Sequence, residues 1–387
     1  MNVELEIHTN DEQVSELCID YWKLDYNRKF TYKLSELSER HNLSAAAIRK
    51  LVNSNCTAFS KKFSCINCGT PRSFNSRTDY IENSRCYSWD SWICDTCVEV
   101  QKEERVRLRE QQEQLRYDLV KEEYESKRAE GLTITELSFS DAVYLLSVIR
   151  TGASEDLSYI VPHKYYEIPL SPCSDFDYEI LMQLYHSGAL CIHPNSKKGT
   201  IELDEEKPSS FLFYPLRVHW LLPISDEDKP ARIVEELERV LTSKEWPDAW
   251  SSEVNALRTR IALEESLQYL RFVLSEHGFD FAIGKKTIQV VKSLLNEFSV
   301  AQIYNFSWRA AKDAAAFYIR KDVSKQHAAN TVPGSIQRMS ERALAEEWEV
   351  KPYGRNFNVP QCMVSQVLYN TTLRIGEAGF DQPVPKE

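Results

Sequence analysis

Glycine is scarce in this chain, 11 in 387 residues, and the scarcity excludes a good deal. Phosphate-cradling turns need glycines at fixed offsets so that the backbone can approach the phosphate. No G-x-x-x-x-G-K-S/T loop and no G-x-G-x-x-G turn occurs, and Gly284-Lys-Lys-Thr287 has only the tail of the first. The G-x-S-x-G and H-E-x-x-H signatures are missing too. No run of about 18 apolar residues is present, so no membrane span and no membrane partner is expected. Met1 to Asn10 is acidic and lacks the apolar core of a secretory leader, which reads as cytoplasmic. A net charge of −11 argues against binding nucleic acid with the whole surface.

What is present begins with sulfur. Four of the ten cysteines form two pairs, Cys65-Ile-Asn-Cys68 followed by Gly69, and Cys94-Asp-Thr-Cys97. A C-x2-C turn points two sulfurs at one ion, and two such turns supply the tetrahedral S4 set of a structural Zn2+. With four thiolates bound, no position stays open for water or substrate, so the metal is expected to be structural. Phe63 to Glu99 holds no histidine, which sets aside a histidine-metal nuclease site between the pairs. The competing reading is two coincidental pairs of buried thiols. Cys86 lacks a partner at this spacing and reads as a small buried side chain.

Upstream, Asp11 to Asn27 reads as a helix with Val14, Leu17, Cys18, Tyr21 and Trp22 on one face. In Lys33 to Asn53, Leu34 and Leu37 form one stripe before His41-Asn42 breaks the period. Ser44 then caps a second helix whose buried side is assigned to Ala46, Ile48, Leu51 and Val52. The stretch resembles a helix-turn-helix of bacterial regulators, without the usual turn glycine but with Asn42, which tolerates the left-handed region. That resemblance implies that Ala45, Arg49, Lys50 and Asn53 face a DNA groove; the bland alternative is a helical hairpin with solvated basic residues. Between Ser44 and Arg85, seven Lys/Arg oppose only Asp79 and Glu82, a balance compatible with a confined nucleic-acid footprint and equally with an ordinary solvated surface. The insert between the cysteine pairs adds Arg72, Arg77 and Arg85 among Phe74, Tyr80, Tyr87, Trp89 and Trp92. Such interleaving serves base stacking and phosphate pairing, or a small aromatic core.

Glu99 to Glu130 has no proline or glycine, and its acid-base neighbours at helical spacing fit a solvated helical arm. Leu108, Leu115, Leu119 and Val120 make a broken stripe, enough for a weak homodimer seam. The next segment places helices at Phe139 to Ile149 and Phe176 to Gly188, then strands at Ala189 to His193 and Phe211 to Leu221. This order resembles a winged helix, but its candidate helix carries Asp175, Asp177 and Glu179 and no cation, so protein contacts are expected of it. His163, His186, His193 and His219 lack ligand spacing.

Helices are expected at Arg232 to Ser243, Glu253 to His277, Thr287 to Phe298 and Val300 to Ile319, packed as a bundle. An exposed loop is expected at Asp322 to Ser335. A second basic cluster, Arg309, Lys312, Arg320, Lys321, Lys325, His327 and Arg338, either docks an anion or pairs with the acidic Ile201 to Asp280 region. Asp313, Tyr318 and His327 are the only acid-base set offered for an enzyme, and whether the chain is one stays open.

The fold expected is therefore mainly α and multidomain, with small zinc-ribbon and winged-helix-like α+β parts. Its boundaries are 1–60 (helix-turn-helix), 61–100 (zinc ribbon), 101–131 (arm), 132–225 (winged-helix-like) and 226–387 (bundle). The function expected is a zinc-stabilised nucleic-acid-binding adaptor or regulator, or the recognition subunit of a mobile-element or phage-defence assembly. DNA is the leading partner, RNA stays open, and other protein subunits are expected. A protein-interaction scaffold and an enzyme in the bundle are the rivals.

Overall fold

The computed structural model describes residues 3–84, 92–207, 209–225, 229–243 and 246–385, so Arg85, Cys86, Tyr87 and Trp89 lie outside the described residues. The chain is mainly helical with small antiparallel sheets, and it divides into two compact units, Met1–Gln112 and Glu113–Glu387.

Unit 1 runs β1 (Glu4–Ile7), α1 (Glu12–Trp22), α2 (Leu34–His41), α3 (Ala45–Asn55), β2 (Cys56–Ser64), β3 (Pro71–Phe74), α4 (Arg77–Ser84) and the start of α5 (Asp95–Glu130). Asp11 caps α1 by accepting the N–H groups of Gln13 and Val14. That helix ends at Trp22, earlier than its sequence period suggests, because Lys23 is already extended. Asn42 closes α2 in the left-handed region at φ 51°, ψ 42°, with its N–H on the Ser38 carbonyl. Ser44 opens α3 by accepting from the Ala47 N–H. Arg40 of α2 reaches Asp20 at 2.7 Å and Glu16 at 3.1 Å, tying α2 to α1.

The sheet order is β1-β2-β3, all antiparallel, with Ala58 opposite both Leu5 and Phe74. Strand β2 begins at the residue after α3 and passes through the expected boundary at residue 60. The helical hairpin and the first cysteine pair therefore share one sheet. They also share one core, in which Leu17, Trp22, Leu37, Ile48, Val52, Phe63, Phe74 and Tyr80 are buried.

Unit 2 continues α5 and adds α6 (Phe139–Gly152), α7 (Ser174–His186), β4 (Cys191–Ile192), β5 (Ile201–Leu203), β6 (Phe211–Phe213) and β7 (Trp220–Leu221). The helices α8 (Pro230–Thr242), α9 (Asp248–Glu276), α10 (Lys285–Leu294), α11 (Val300–Lys321), α12 (Lys325–Asn330) and α13 (Val332–Ala345) follow. A short α14 (Met363–Gln366) passes into a π-helical turn, Val367–Thr372, and α15 (Ala378–Asp381) ends the unit. The single strand expected at Phe211 to Leu221 is two. Between them, the Arg217 and Val218 N–H groups both reach the Tyr214 carbonyl, a turn that contains Pro215. Ile192 and Ile160 flank Trp220 on either side.

The boundary expected at 225 is not a boundary in the packing. Ile233, Leu237, Trp250 and Leu257 of α8 and α9 join α6 and α7 in one core, and Met363 to Leu368 return to it, with Met363 N–H on the Pro169 carbonyl. The second half of α9 enters another core with α10, α11 and α13. One 29-residue helix thus serves both.

The loop expected at Asp322 to Ser335 is instead helical. Ser324 caps α12 by accepting from the His327 N–H, and Ala328, Ala329 and Val332 are fully buried. Pro333 sits in the first turn of α13, where the N–H it lacks would have had no helical partner.

Candidate metal centre and basic surfaces

The two cysteine pairs arrive from different kinds of structure. Cys65 and Cys68 occupy the turn joining β2 to β3, closed by Cys65 N–H on the Thr70 carbonyl and Gly69 N–H on the Cys65 carbonyl. Gly69 has φ +76°, a conformation that costs a side chain dearly. Cys94 precedes α5 and Cys97 lies in its first turn, with the Val98 N–H on the Cys94 carbonyl. One pair is therefore on a hairpin turn and the other at a helix start. Backbone N–H groups that lack helical partners at such a start favour negative sulfur. Ile66 N–H on the Trp92 carbonyl brings the two pairs together.

All four Sγ atoms lie within 4.8 Å of one another. Cys68 Sγ and Cys94 Sγ are 3.6 Å apart, and the Cys94 N–H donates to Cys65 Sγ at 3.3 Å. A cation bound tetrahedrally to sulfur at about 2.3 Å gives an S–S edge of about 3.8 Å, so the cluster is of the right size to hold a metal ion. The thiols titrate as a group under strain. Burial pushes Cys65 up, but the backbone N–H groups of Cys94, Cys68 and Asn67 outweigh it and bring the thiol to about 6. Hydrogen bonding to the Cys68 and Cys94 sulfurs pushes Cys97 up to about 12. Four thiols this close resist joint ionisation by like-charge repulsion. A metal cation held at their centre would remove that resistance and would join the hairpin turn to the start of α5.

The basic residues sort into three kinds. Arg49, Lys50 and Asn53 of α3 are exposed on one face, while Ile48 and Val52 anchor the opposite face. The expected buried role of Ala46 is corrected: it is exposed, and Ala45 is half-buried. Among the described residues, no carboxylate pairs with Arg49 or Lys50. Lys61 and Lys62 stand exposed on β2, Lys61 paired with Glu4 at 2.6 Å.

Arg72 is half-buried, 3.7 Å from Asp79 and over the Trp92 ring at 5.4 Å, beside the metal-ligand turn. Arg77 is turned inward, contrary to the nucleic-acid role expected of it. Its guanidinium donates to the Tyr21 and Tyr32 carbonyls and lies over the Tyr21 and Phe30 rings at 4.2 and 4.5 Å. Three donors satisfied by internal carbonyls make it a latch between α4 and the α1–α2 connection. Tyr80 is likewise core, edge-on to Phe30 and Phe74. Arg85 lies outside the described residues.

In unit 2, Arg309, Lys312, Arg320, Lys321, Lys325, His327 and Arg338 are all exposed. Among the described residues, none pairs with a carboxylate. Lys312 lies over the Trp308 ring at 5.1 Å, and Lys325 donates to the Gly278 carbonyl. Asp313, Tyr318 and His327 share no hydrogen bond among the described residues. Two of the acidic side chains of α7 are used internally, Asp177 with His163 at 2.7 Å and Glu179 with Arg260 at 2.8 Å. No helix among the described residues is long and apolar enough to cross a membrane.

Compared with known proteins, the chain matches no protein-family model, no curated protein and no solved structure.

Proposed function

We propose that unit 1 is a zinc-stapled winged-helix module that binds duplex DNA through α3, and that the chain acts as a regulator or as the recognition subunit of a larger assembly. The order of three helices followed by a β-hairpin supports this reading. In it, α3 is the recognition helix, and β2–β3 is the wing. Arg49 and Asn53 are one helical turn apart, the spacing at which side chains reach neighbouring base edges. Lys50 and the exposed Lys62 of the wing suit backbone phosphates. The observation that carries the proposal is the unpaired state of Arg49 and Lys50 among the described residues, on a helix whose other face is anchored by side chains of zero exposure. Charge left exposed and unpartnered on a rigid element is available to a ligand.

Zinc is the metal that best suits the site. Thiolate sets at tetrahedral spacing select Zn2+ or iron–sulfur chemistry over the hard cations, and four closed ligands match a structural zinc. The metal holds the far end of the wing against α5, and so fixes the orientation of the helix that β2 directly continues.

The test is fluorescence anisotropy with labelled duplex DNA at stepped salt. Arg49→Ala with Lys50→Ala is expected to weaken binding at least about tenfold and to flatten the slope of log affinity against log salt by roughly one per lost phosphate contact. Wild-type protein with no affinity for duplex at low salt would end the proposal.

A further inference from the structure

Unit 2 contains a cavity of about 870 Å3 between the C-terminal end of α9, the outward side of α11 and the irregular segment 351–358. Five Phe, Tyr and Trp side chains line it: Tyr269, Phe272, Trp308, Tyr353 and Phe357. The Trp308 and Tyr353 rings meet edge-on with centroids 6.1 Å apart. Phe357 is 96% exposed. A phenyl ring in water contributes nothing to its own chain's core, and both of its faces are open to a stacking partner.

The segment beneath that ring is firmly held. Tyr353 N–H donates to the Ala301 carbonyl at 3.0 Å, Asn305 donates to the Lys351 carbonyl at 3.0 Å, and Arg355 pairs with buried Glu265 at 3.0 Å. The exposed ring is therefore presented from a fixed base.

Charge stands beside the aromatics. Lys351, Arg355 and one carboxylate, Glu276, line the cavity, Lys312 lies over the Trp308 ring, and Arg309 and Arg320 are three helical turns apart on the same side of α11. None of Arg309, Lys312 and Arg320 is spent on a carboxylate among the described residues. Asn356 and Asn358 add amide groups that can both donate and accept.

We propose that this cavity binds single-stranded nucleic acid, an unpaired base stacking on Phe357 and Trp308 while Arg309 and Lys312 take the adjoining phosphates. Aromatic platforms beside a cationic track are how unpaired strands are held, and the volume falls within the range of small-ligand pockets. A proline-rich peptide would also use the aromatics, but it has no need of the unpaired cations on α11. A duplex keeps its bases stacked and offers the cavity nothing. The inference therefore concerns a different ligand form, on a different unit, from the α3 proposal, and it stands or falls separately.

The experiment uses the full chain with its metal, a labelled oligothymidylate and a labelled duplex, each followed by anisotropy. Wild type is expected to bind the oligothymidylate. Phe357→Ala is expected to weaken that binding about tenfold, and Lys312→Glu to weaken it and flatten its salt dependence. Both positions are exposed, so melting temperature and duplex affinity should stay at wild-type values. Arg49→Ala with Lys50→Ala should show the converse. An oligothymidylate affinity unchanged by Phe357→Ala, or none in the wild type, overturns the inference. Binding of a proline-rich peptide that is lost in Phe357→Ala, with no oligothymidylate binding, would give the cavity to peptides instead. Loss of duplex binding alone would sink the α3 proposal and leave this one standing.

Discussion

Unit 1 and unit 2 solve the problem of holding a shape by different means. Among the described residues, unit 1 has a single cluster of 12 buried apolar residues supporting a sheet, four helices and the beginning of a fifth. Among the described residues of unit 2, two clusters of 38 and 28 such residues share α9 between them. Small domains bury too little surface to offset chain entropy comfortably, and they commonly add metals or disulfides. The four-cysteine cluster lies in the smaller unit, where the apolar core is thinnest. On the proposed reading, sulfur and a cation do in one unit what leucine, isoleucine and tryptophan do in the other.

The strongest way to break this contrast is to remove the metal. Chelation, or Cys65→Ser with Cys94→Ser, is expected to unfold unit 1, because structural zinc binding is itself folding free energy of about 10–16 kcal/mol in small modules. A separate transition from unit 2 should survive at its original temperature in calorimetry. A single unchanged melting curve after chelation would refute the assigned division of labour.

The next largest effect lies in unit 2. Glu265 is 3% exposed in its side chain and is held by two hydrogen bonds from Arg355, at 3.0 and 3.3 Å. Arg355→Ala would strand that carboxylate in the core, at a cost of about 3–5 kcal/mol. Denaturant unfolding should show the loss in the unit 2 transition and leave the chelator-sensitive one in place.

The smallest effect sharpens the contrast through pH. Burial holds His219 below its ordinary value, and burial together with the neighbouring His219 holds His193 below its own. Below about pH 6.5 the unfolded chain takes up protons at these rings that the folded unit refuses, so unit 2 loses stability as pH falls from 7 towards 5. His219→Gln should make the melting temperature of unit 2 less sensitive over that window than it is in wild type. Equal pH dependence in the two proteins would remove the imidazole from the explanation.

Much of this was legible in local chemistry. The C-x2-C spacing, the Asn42 turn and the Ser44 cap each depend on a few adjacent residues, and each is found where expected. What was not legible depends on distant pairing. That β2 joins β1 across some fifty residues hides the union of the helical hairpin with the cysteine turn. The inward role of Arg77 depends on carbonyls of Tyr21 and Tyr32, which no spacing rule brings near it. Pro333 with Gly334 looked like a loop because proline near glycine often marks one, whereas proline in a first helical turn is equally at home. Phe357 could be named as an aromatic in a polar run, but only the fold shows that it is left outside the core.

The direct passage from α3 into β2 has one further consequence. Asn55 ends the helix and Cys56 begins the strand, so no slack separates the exposed Arg49, Lys50 and Asn53 row from the nine-residue strand that leads to the Cys65–Cys68 turn. Side chains along a strand alternate with a period of two. Lengthening the chain at this junction by one residue would swap the inward places of Ala58 and Ser60 for outward ones, whereas adding two would restore their facing. Tolerance of inserted residues here should therefore follow an odd–even rule, as teeth of a gear accept only whole steps.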